Sequence, residues 1–152
     1  MIYKEVSKLL ESEDGLNELL ISYSESFAQV EKYNEYVKKG GCLPDSINKI
    51  QLRTTALKGV LNAVYLAIDG HKTSREGILF AQLRNEFQKK SPESKFNASA
   101  TTAEISALVS KEREVRNWFL AYKEMAEGLI ISCQAWLKHY RETYDATNKE
   151  QG

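Results

Sequence analysis

Hydrophobic residues recur at steps of three and four along most of the chain, which is the period of an amphipathic helix. The first ten residues fit a short helix, and Glu13-Asp14-Gly15 is predicted to end it. A longer helix is predicted over residues 16–39, where Gly40-Gly41 ends it. Its buried stripe consists of Leu16, Leu20, Tyr23, Phe27, Val30 and Val37.

The middle of the chain predicts two helices joined at a glycine. Pro44-Asp45-Ser46 is a typical helix entrance, and apolar positions continue to Ile68. Gly70 is predicted to end this helix, and Thr73 or Ser74 to cap the next one, which runs to about Lys90. The sequence LAIDGHKTSREG, residues 66–77, has the composition of a phosphate loop but neither its G-x-x-x-x-G-K-[ST] spacing nor a preceding strand. We therefore interpret it as a connection between helices.

The strongest pattern lies in the last third of the chain. Residues 91–100 predict a flexible loop, and Thr101 with Glu104 has the spacing of a capping box. A helix is predicted from there to about Tyr144, with ten of eleven heptad positions apolar or aromatic. A helix of about forty residues would be about 60 Å long, so we expect a second subunit to bury part of it. The expected oligomer interface is Val115, Phe119, Tyr122, Leu129, Cys133, Trp136 and Tyr140.

These patterns predict an all-α helical bundle that is a homo-oligomer, with one domain over residues 1–145 and a flexible tail over 146–152.

No apolar run is long enough to span a membrane. The first residues, MIYKEVSKLL, are too short and too charged for a signal peptide. We therefore expect a cytoplasmic protein with reduced thiols.

Charge is unevenly distributed along a chain whose 21 basic and 21 acidic residues cancel. This balance argues against a protein bound over its whole surface to nucleic acid or anionic membrane. Residues 41–100, however, hold nine basic and five acidic residues. Such a segment either neutralises phosphates without reading sequence or is a solvated face that complements a helix dipole. The predicted nucleic-acid contacts are Lys49, Arg53, Lys58, Lys72, Arg75, Arg84, Lys89 and Lys90.

Residues that carry chemistry are sparse. His71 and His139 lie in different predicted elements, and the two cysteines, Cys42 and Cys133, form no C-x-x-C motif. Glu112 is the one charged residue among the heptad positions. We interpret it as a residue that sets the register of helix packing or lies at a helix end. The sequence therefore predicts no catalytic residue, metal site or cofactor, and no enzyme.

One arrangement of motifs resembles a known family. Tyr65-Leu66-x-x-x-Gly70 is followed by a turn, a variable loop and the charged helix entry Lys111-Glu112-Arg113-Glu114-Val115, with basic residues Lys138 and Arg141 near the end. Over roughly residues 50–142 this order resembles small phage recombination mediators of the UvsY type. The chain departs from that pattern where Val64-Tyr65 replaces a paired aromatic, and Lys72 follows the glycine one position late.

The resemblance implies a non-enzymatic accessory protein of DNA recombination. It implies ring-like oligomers that bind single-stranded DNA without sequence preference and help to load a recombinase onto strands coated by single-strand-binding protein. It would make Lys49, Arg53, Lys58, Lys72 and Arg75 phosphate contacts, and it would place the protein in the host cytoplasm if a phage encodes it.

An alternative hypothesis needs no nucleic acid. A phage-type helical inhibitor or adaptor would bind a host protein through its helix faces. Its best feature in the sequence is the acidic set Glu25, Glu31 and Glu35, one to two turns apart, which would mimic a phosphate backbone.

Overall fold

A computed structural model describes the backbone of residues 2–151 and the side chains of residues 4–151. Within this range the chain forms helices and no strands, which confirms the predicted all-α fold. The helices are α1 (Ile2–Leu9), α2 (Glu13–Ser22), α3 (Ser24–Lys39), α4 (Pro44–Lys90), α5 (Ala98–Leu108) and α6 (Ser110–Glu150).

The helices form two compact units. Unit 1 contains the chain up to Ile21 together with Val64–Trp118, and unit 2 contains Ser22–Ala63 together with the chain from Phe119 onward. Each unit has buried residues of its own. The predicted tail from residue 146 continues α6 as a helix to Glu150.

Unit 1 has a core of aliphatic side chains from five helices. The buried residues are Val6, Leu10, Leu16, Leu19, Val64, Ile68, Ile105, Val109 and Val115. The predicted continuous helix from Thr101 to about Tyr144 is interrupted at Val109, between α5 and α6. The predicted heptad places Leu108 on the buried side, but Leu108 is exposed and its neighbour Val109 is buried, so the buried positions shift by one residue at this break.

Unit 2 encloses a cluster in which the loop after α3 meets α4 and α6. Its buried members are Val37, Cys42, Ile47, Ile50, Leu129 and Cys133, with Tyr33, Trp136 and Leu137 packed against them. Gly40 and Gly41 connect α3 to this cluster with φ angles of 73° and 71°, a region that glycine occupies without steric cost. The Gly40 N–H donates to the Val37 carbonyl and ends α3, as predicted.

The predicted break at Glu13-Asp14-Gly15 lies instead at residues 10–12. The Ser12 hydroxyl accepts a hydrogen bond from the Gly15 N–H at 3.0 Å, and this caps α2. Gly15 is buried, and a Cβ atom there would lie 2.2 Å from the Leu9 carbonyl oxygen. This glycine therefore permits a close approach of two helices instead of ending one. The predicted helix over 16–39 is also interrupted, at Tyr23.

The prediction of two helices joined at Gly70 was wrong, because α4 is a single helix of 47 residues. LAIDGHKTSREG forms its middle, so this stretch neither connects helices nor forms a phosphate loop. A glycine inside a helix costs only about 1 kcal/mol relative to alanine. Buried neighbours on both sides, Ile68 and Lys72, hold the helix through this point.

The N-cap of α5 was predicted four residues late, at Thr101. Asn97 is the N-cap residue, and its side chain accepts a hydrogen bond from the Ala100 N–H at 3.1 Å. The Thr101 hydroxyl donates to the Asn97 carbonyl oxygen instead of capping the helix. Phe96, just before the cap, packs edge-on against Phe80 and Phe87 of α4.

Candidate nucleic-acid interface

Three of the predicted phosphate contacts are occupied by acidic partners. Lys58 lies 3.5 Å from Glu127, and Lys72 is buried with its ammonium group 3.2 Å from Glu76. Arg75 donates to Glu112, whose side chain is almost fully buried. Each of the three cations therefore has an acidic partner within the chain, and of the three only Lys72 is buried, since the Lys58 and Arg75 side chains remain about 40% exposed.

Three other predicted contacts lie together at the end of α4. Arg84, Lys89 and Lys90 are exposed, and they make no ion pair within the described part of the chain. Lys89 and Lys90 lie in the last turn, where positive charge complements the helix dipole. Glu86 and Glu93 lie close to them in sequence and reduce the local positive charge.

Arg53 borders an open groove in unit 2. The groove has a volume of about 440 Å³ and lies between α3, which contributes Gln29 and Tyr33, and α4, which contributes Arg53, Leu57 and Val60. Lys49 is exposed one helical turn before Arg53. We use the name α3–α4 groove for this groove together with the adjacent Lys49.

A hydrogen bond fixes the cationic group of this groove. The Arg53 guanidinium donates to the Tyr33 hydroxyl at 3.2 Å. The Tyr33 ring packs against the Val37–Cys133 cluster on one side and remains partly exposed. Since no acidic residue pairs with Arg53 in the described chain, its positive charge remains available beside an oriented aromatic ring.

Two of the three acidic residues of α3 lie away from this groove, whereas Glu25 lies one turn before Gln29, which lines it. At about 100° per residue, Glu31 and Glu35 fall on the side of α3 opposite the Gln29–Tyr33 line. The Tyr122 hydroxyl donates to Glu31, and this hydrogen bond, with burial and the Glu31 charge, raises the pKa of Tyr122 to about 12. Glu25 lies on another flank, so the three acidic residues do not form the single row that phosphate mimicry would need.

Most of the residues predicted as an oligomer interface are buried by their own chain. Val115 is buried in unit 1, and Phe119, Leu129 and Cys133 are buried in unit 2. The Phe119 ring contacts Tyr23 and Phe27, and Tyr122 stacks on Phe27 at 4.4 Å between ring centroids. Trp136 covers the Val37–Cys133 cluster, and Tyr140 is exposed. Four of the seven predicted interface residues therefore pack within the chain itself.

The buried thiol and three polar residues of one small pocket have structural partners. Burial, with Cys42 nearby, raises the pKa of the Cys133 thiol and keeps it protonated. A small pocket in unit 1 contains Arg75 and Glu112, which pair with each other, and Ser12, which caps α2. Among the described residues, no group of three or more His, Cys, Asp or Glu side chains could hold a metal ion.

Tyr33 was not among the predicted contacts, because it lies outside the predicted stripe of α3. It lies twenty residues before Arg53, and sequence alone does not fix the register between two helices.

No family model, curated protein or solved structure matches this chain. No helix in the described range is long and apolar enough to cross a membrane.

Proposed function

We propose that the protein binds single-stranded DNA without sequence preference through the α3–α4 groove, as an accessory protein of DNA recombination. The observation that supports this proposal is the Arg53–Tyr33 hydrogen bond, which holds an unneutralised cation next to an aromatic ring at the edge of an open groove.

Each part of the groove matches a feature of single-stranded nucleic acid. Arg53 and Lys49 would neutralise neighbouring phosphates and release counterions. The open part of the Tyr33 ring would stack on a base, and stacking tolerates every base because each has a π-face. Leu57 and Val60 supply apolar walls, and Gln29 supplies a polar group.

Recombination is the process suggested by the resemblance to UvsY-type mediators. The protein partners would then be a recombinase or a single-strand-binding protein, in the cytoplasm of the host. The proposal needs no enzyme activity and no cofactor.

Binding of a fluorescent oligo-dT, measured by anisotropy at several salt concentrations, tests the proposal. We expect affinity to fall as salt rises, and Lys49→Gln/Arg53→Gln to reduce the salt slope by about 1.4, or 0.7 for each lost contact to a single strand. Tyr33→Leu should weaken binding by about 1–3 kcal/mol through lost stacking, whereas Tyr33→Phe keeps the ring and most of the affinity.

Lys89→Gln/Lys90→Gln is the matched control, because it also removes two exposed charges from α4 but lies in unit 1. It should leave the affinity nearly unchanged. A larger loss in this control would move the interface to the end of α4. Absence of binding at low salt would contradict the proposal and favour the alternative hypothesis of a helical inhibitor or adaptor.

A further inference from the structure

A second groove of unit 2 lies between the start of α4 and the last turns of α6. Its volume is about 420 Å³, close to that of the α3–α4 groove. The lining residues are Pro44 and Asn48 of α4 and Leu137, Tyr140, Arg141 and Tyr144 of α6. We call it the α4–α6 groove. The two grooves have no lining residue in common, so this one is a separate site.

The α4–α6 groove combines apolar surface with polar groups that have no partner. Leu137 packs against the buried cluster of unit 2, and Tyr140 and Tyr144 are 39% and 67% exposed. Within the described residues, neither the Arg141 guanidinium nor the Asn48 amide makes a hydrogen bond or ion pair, and the two tyrosine hydroxyl groups make no hydrogen bond. A ligand in this groove would therefore meet aromatic rings together with free donors and acceptors.

Charge within the groove favours an anionic ligand. Of the described residues that line it, only Arg141 is charged. The next residue, Glu142, pairs with Lys138 at 3.9 Å. Asp45 and Asp145 are exposed but lie outside the lining, so no carboxylate opposes Arg141 within the groove. The groove therefore suits a ligand that carries an anionic group next to a flat, partly apolar one.

The two grooves lie close enough on α4 for one flexible ligand to occupy both. Asn48 lies five residues before Arg53, which is about 8 Å along the helix and about 140° around it. Lys49 and Leu52 lie between them on the exposed side of α4, and the Leu52 side chain is 73% exposed. A ligand that crosses α4 here therefore passes a cation and an apolar side chain between the grooves.

We infer that the α4–α6 groove is a second contact for the same single strand of DNA, which crosses α4 between the two grooves; this inference rests on the proposed function. Arg141 neutralises a phosphate, and the Tyr140 and Tyr144 rings stack on bases of any sequence. The Asn48 amide, which both donates and accepts hydrogen bonds, contacts a base or sugar. Phosphates and bases alternate along a strand, as basic and aromatic or apolar side chains do along this path.

Oligonucleotide length tests the inference, because a short strand fills one groove and a longer strand reaches both. The path extends about 18 Å along α4 from Val60 to Asn48 and about 12 Å around the helix. Four stacked nucleotides at about 3.4 Å each are too short for this path, and twelve are long enough. Binding of fluorescent dT4 and dT12 is therefore compared by anisotropy.

Tyr144→Leu removes one stacking ring from the α4–α6 groove. It should weaken dT12 binding by about 5- to 150-fold, because the strand then loses one of two linked contacts. Binding of dT4 should weaken by no more than about twofold, since dT4 still fills the α3–α4 groove. Tyr144→Phe keeps the ring and should bind dT12 nearly as the wild type does.

Arg141→Gln tests the cation of the groove. It should reduce the salt slope of dT12 binding by about 0.7, the value for one lost phosphate contact. Lys149→Gln is the matched control, because it removes an exposed cation from the same end of α6 but outside the groove. This control should leave the salt slope unchanged. Circular dichroism should show the same helix content in every variant, since each substitution replaces an exposed side chain.

Binding of dT12 that tolerates both Tyr144→Leu and Arg141→Gln would overturn the inference and leave this groove to a protein ligand. If Lys49→Gln/Arg53→Gln still weakened binding in that case, the proposed function would stand with a single groove. An equal loss of dT4 and dT12 binding in Tyr144→Leu would also overturn the inference, because the two grooves would then not act on one strand. If the wild type bound neither oligonucleotide, the proposed function would fail together with the inference.

Discussion

Thr54 is fully buried in α4, and its hydroxyl oxygen makes no hydrogen bond within the described chain. Burying a hydroxyl group without a partner costs free energy that an isosteric apolar residue would avoid. We therefore expect Thr54→Val to raise the free energy of unfolding by about 1 kcal/mol. Thr55→Val is the control, because the exposed Thr55 hydroxyl donates to the Gln51 carbonyl. Urea denaturation should show a higher midpoint for Thr54→Val alone.

The raised pKa of Tyr122 predicts that the protein loses stability in alkali. Its hydrogen bond to Glu31 raises the pKa of Tyr122 from 10.0 to about 12 in the folded protein. The folded state therefore retains a proton that the unfolded chain releases near pH 10. The stabilisation is complete below pH 10 and disappears as the pH rises through 12.

The Tyr122 prediction is tested with Tyr122→Phe, which keeps the stacked ring but cannot donate to Glu31. Unfolding by urea between pH 9 and 12 should show the wild-type advantage shrinking as pH rises. An advantage that stays constant through pH 12 would mean that the hydrogen bond does not shift this titration.

At the scale of elements, helix existence was readable from apolar periodicity, but helix boundaries were not. Gly70 and Gly15 illustrate the reason. A glycine ends a helix only where no packing holds the chain in helical conformation. The buried neighbours of Gly70 hold the chain in the helix. Gly15 has a buried packing role against Leu9, which depends on a contact between two helices that the sequence does not reveal.

Gly15→Ala should disrupt the corner between α1 and α2. The added methyl group would lie 2.2 Å from the Leu9 carbonyl oxygen, so the backbone must move. We expect a loss of about 1–3 kcal/mol in the free energy of unfolding. In contrast, Gly128→Ala should increase stability by up to about 1 kcal/mol, because it improves helix propensity without a clash. Thermal denaturation followed by circular dichroism distinguishes the two variants. Equal midpoints would show that α1 moves to accommodate the added methyl group without a loss of stability.

At the scale of the whole molecule, the sequence located the basic residues but not their partners. Glu127 and Glu112, which neutralise Lys58 and Arg75, come from the last third of the chain. Composition therefore counted Lys58 and Arg75 as unpaired, although folding gives each of them an acidic partner from a distant part of the sequence. Lys49 and Arg53 were in the predicted set, but the groove between α3 and α4 appears only when the helices are packed.

Arg75 is accordingly expected to support the fold instead of binding DNA. Arg75→Gln would leave the buried Glu112 carboxylate without its cation. Because Arg75 is itself partly exposed, we expect a loss of about 2 kcal/mol, below the range for fully buried pairs. Affinity for oligo-dT should not change under conditions where the variant is folded.

Arg84→Gln is the comparison for Arg75→Gln, since it removes an exposed arginine of the same helix that has no partner. Its effect on unfolding should stay within about 0.5 kcal/mol. A similar cost for both variants, measured by urea denaturation, would show that the Arg75–Glu112 pair contributes little.

The last turns of α6 differ from the rest of that helix, since every residue from Lys138 to Glu150 is exposed. Their amide hydrogens are held by helical hydrogen bonds alone, without a packed side chain to close the helix again after it opens. Deuterium would therefore replace these hydrogens long before it reached Ala126, Leu129 or Cys133, which are buried on the same helix. The rates of amide hydrogen exchange along α6 would therefore show, residue by residue, where the cooperatively unfolding part of the protein ends.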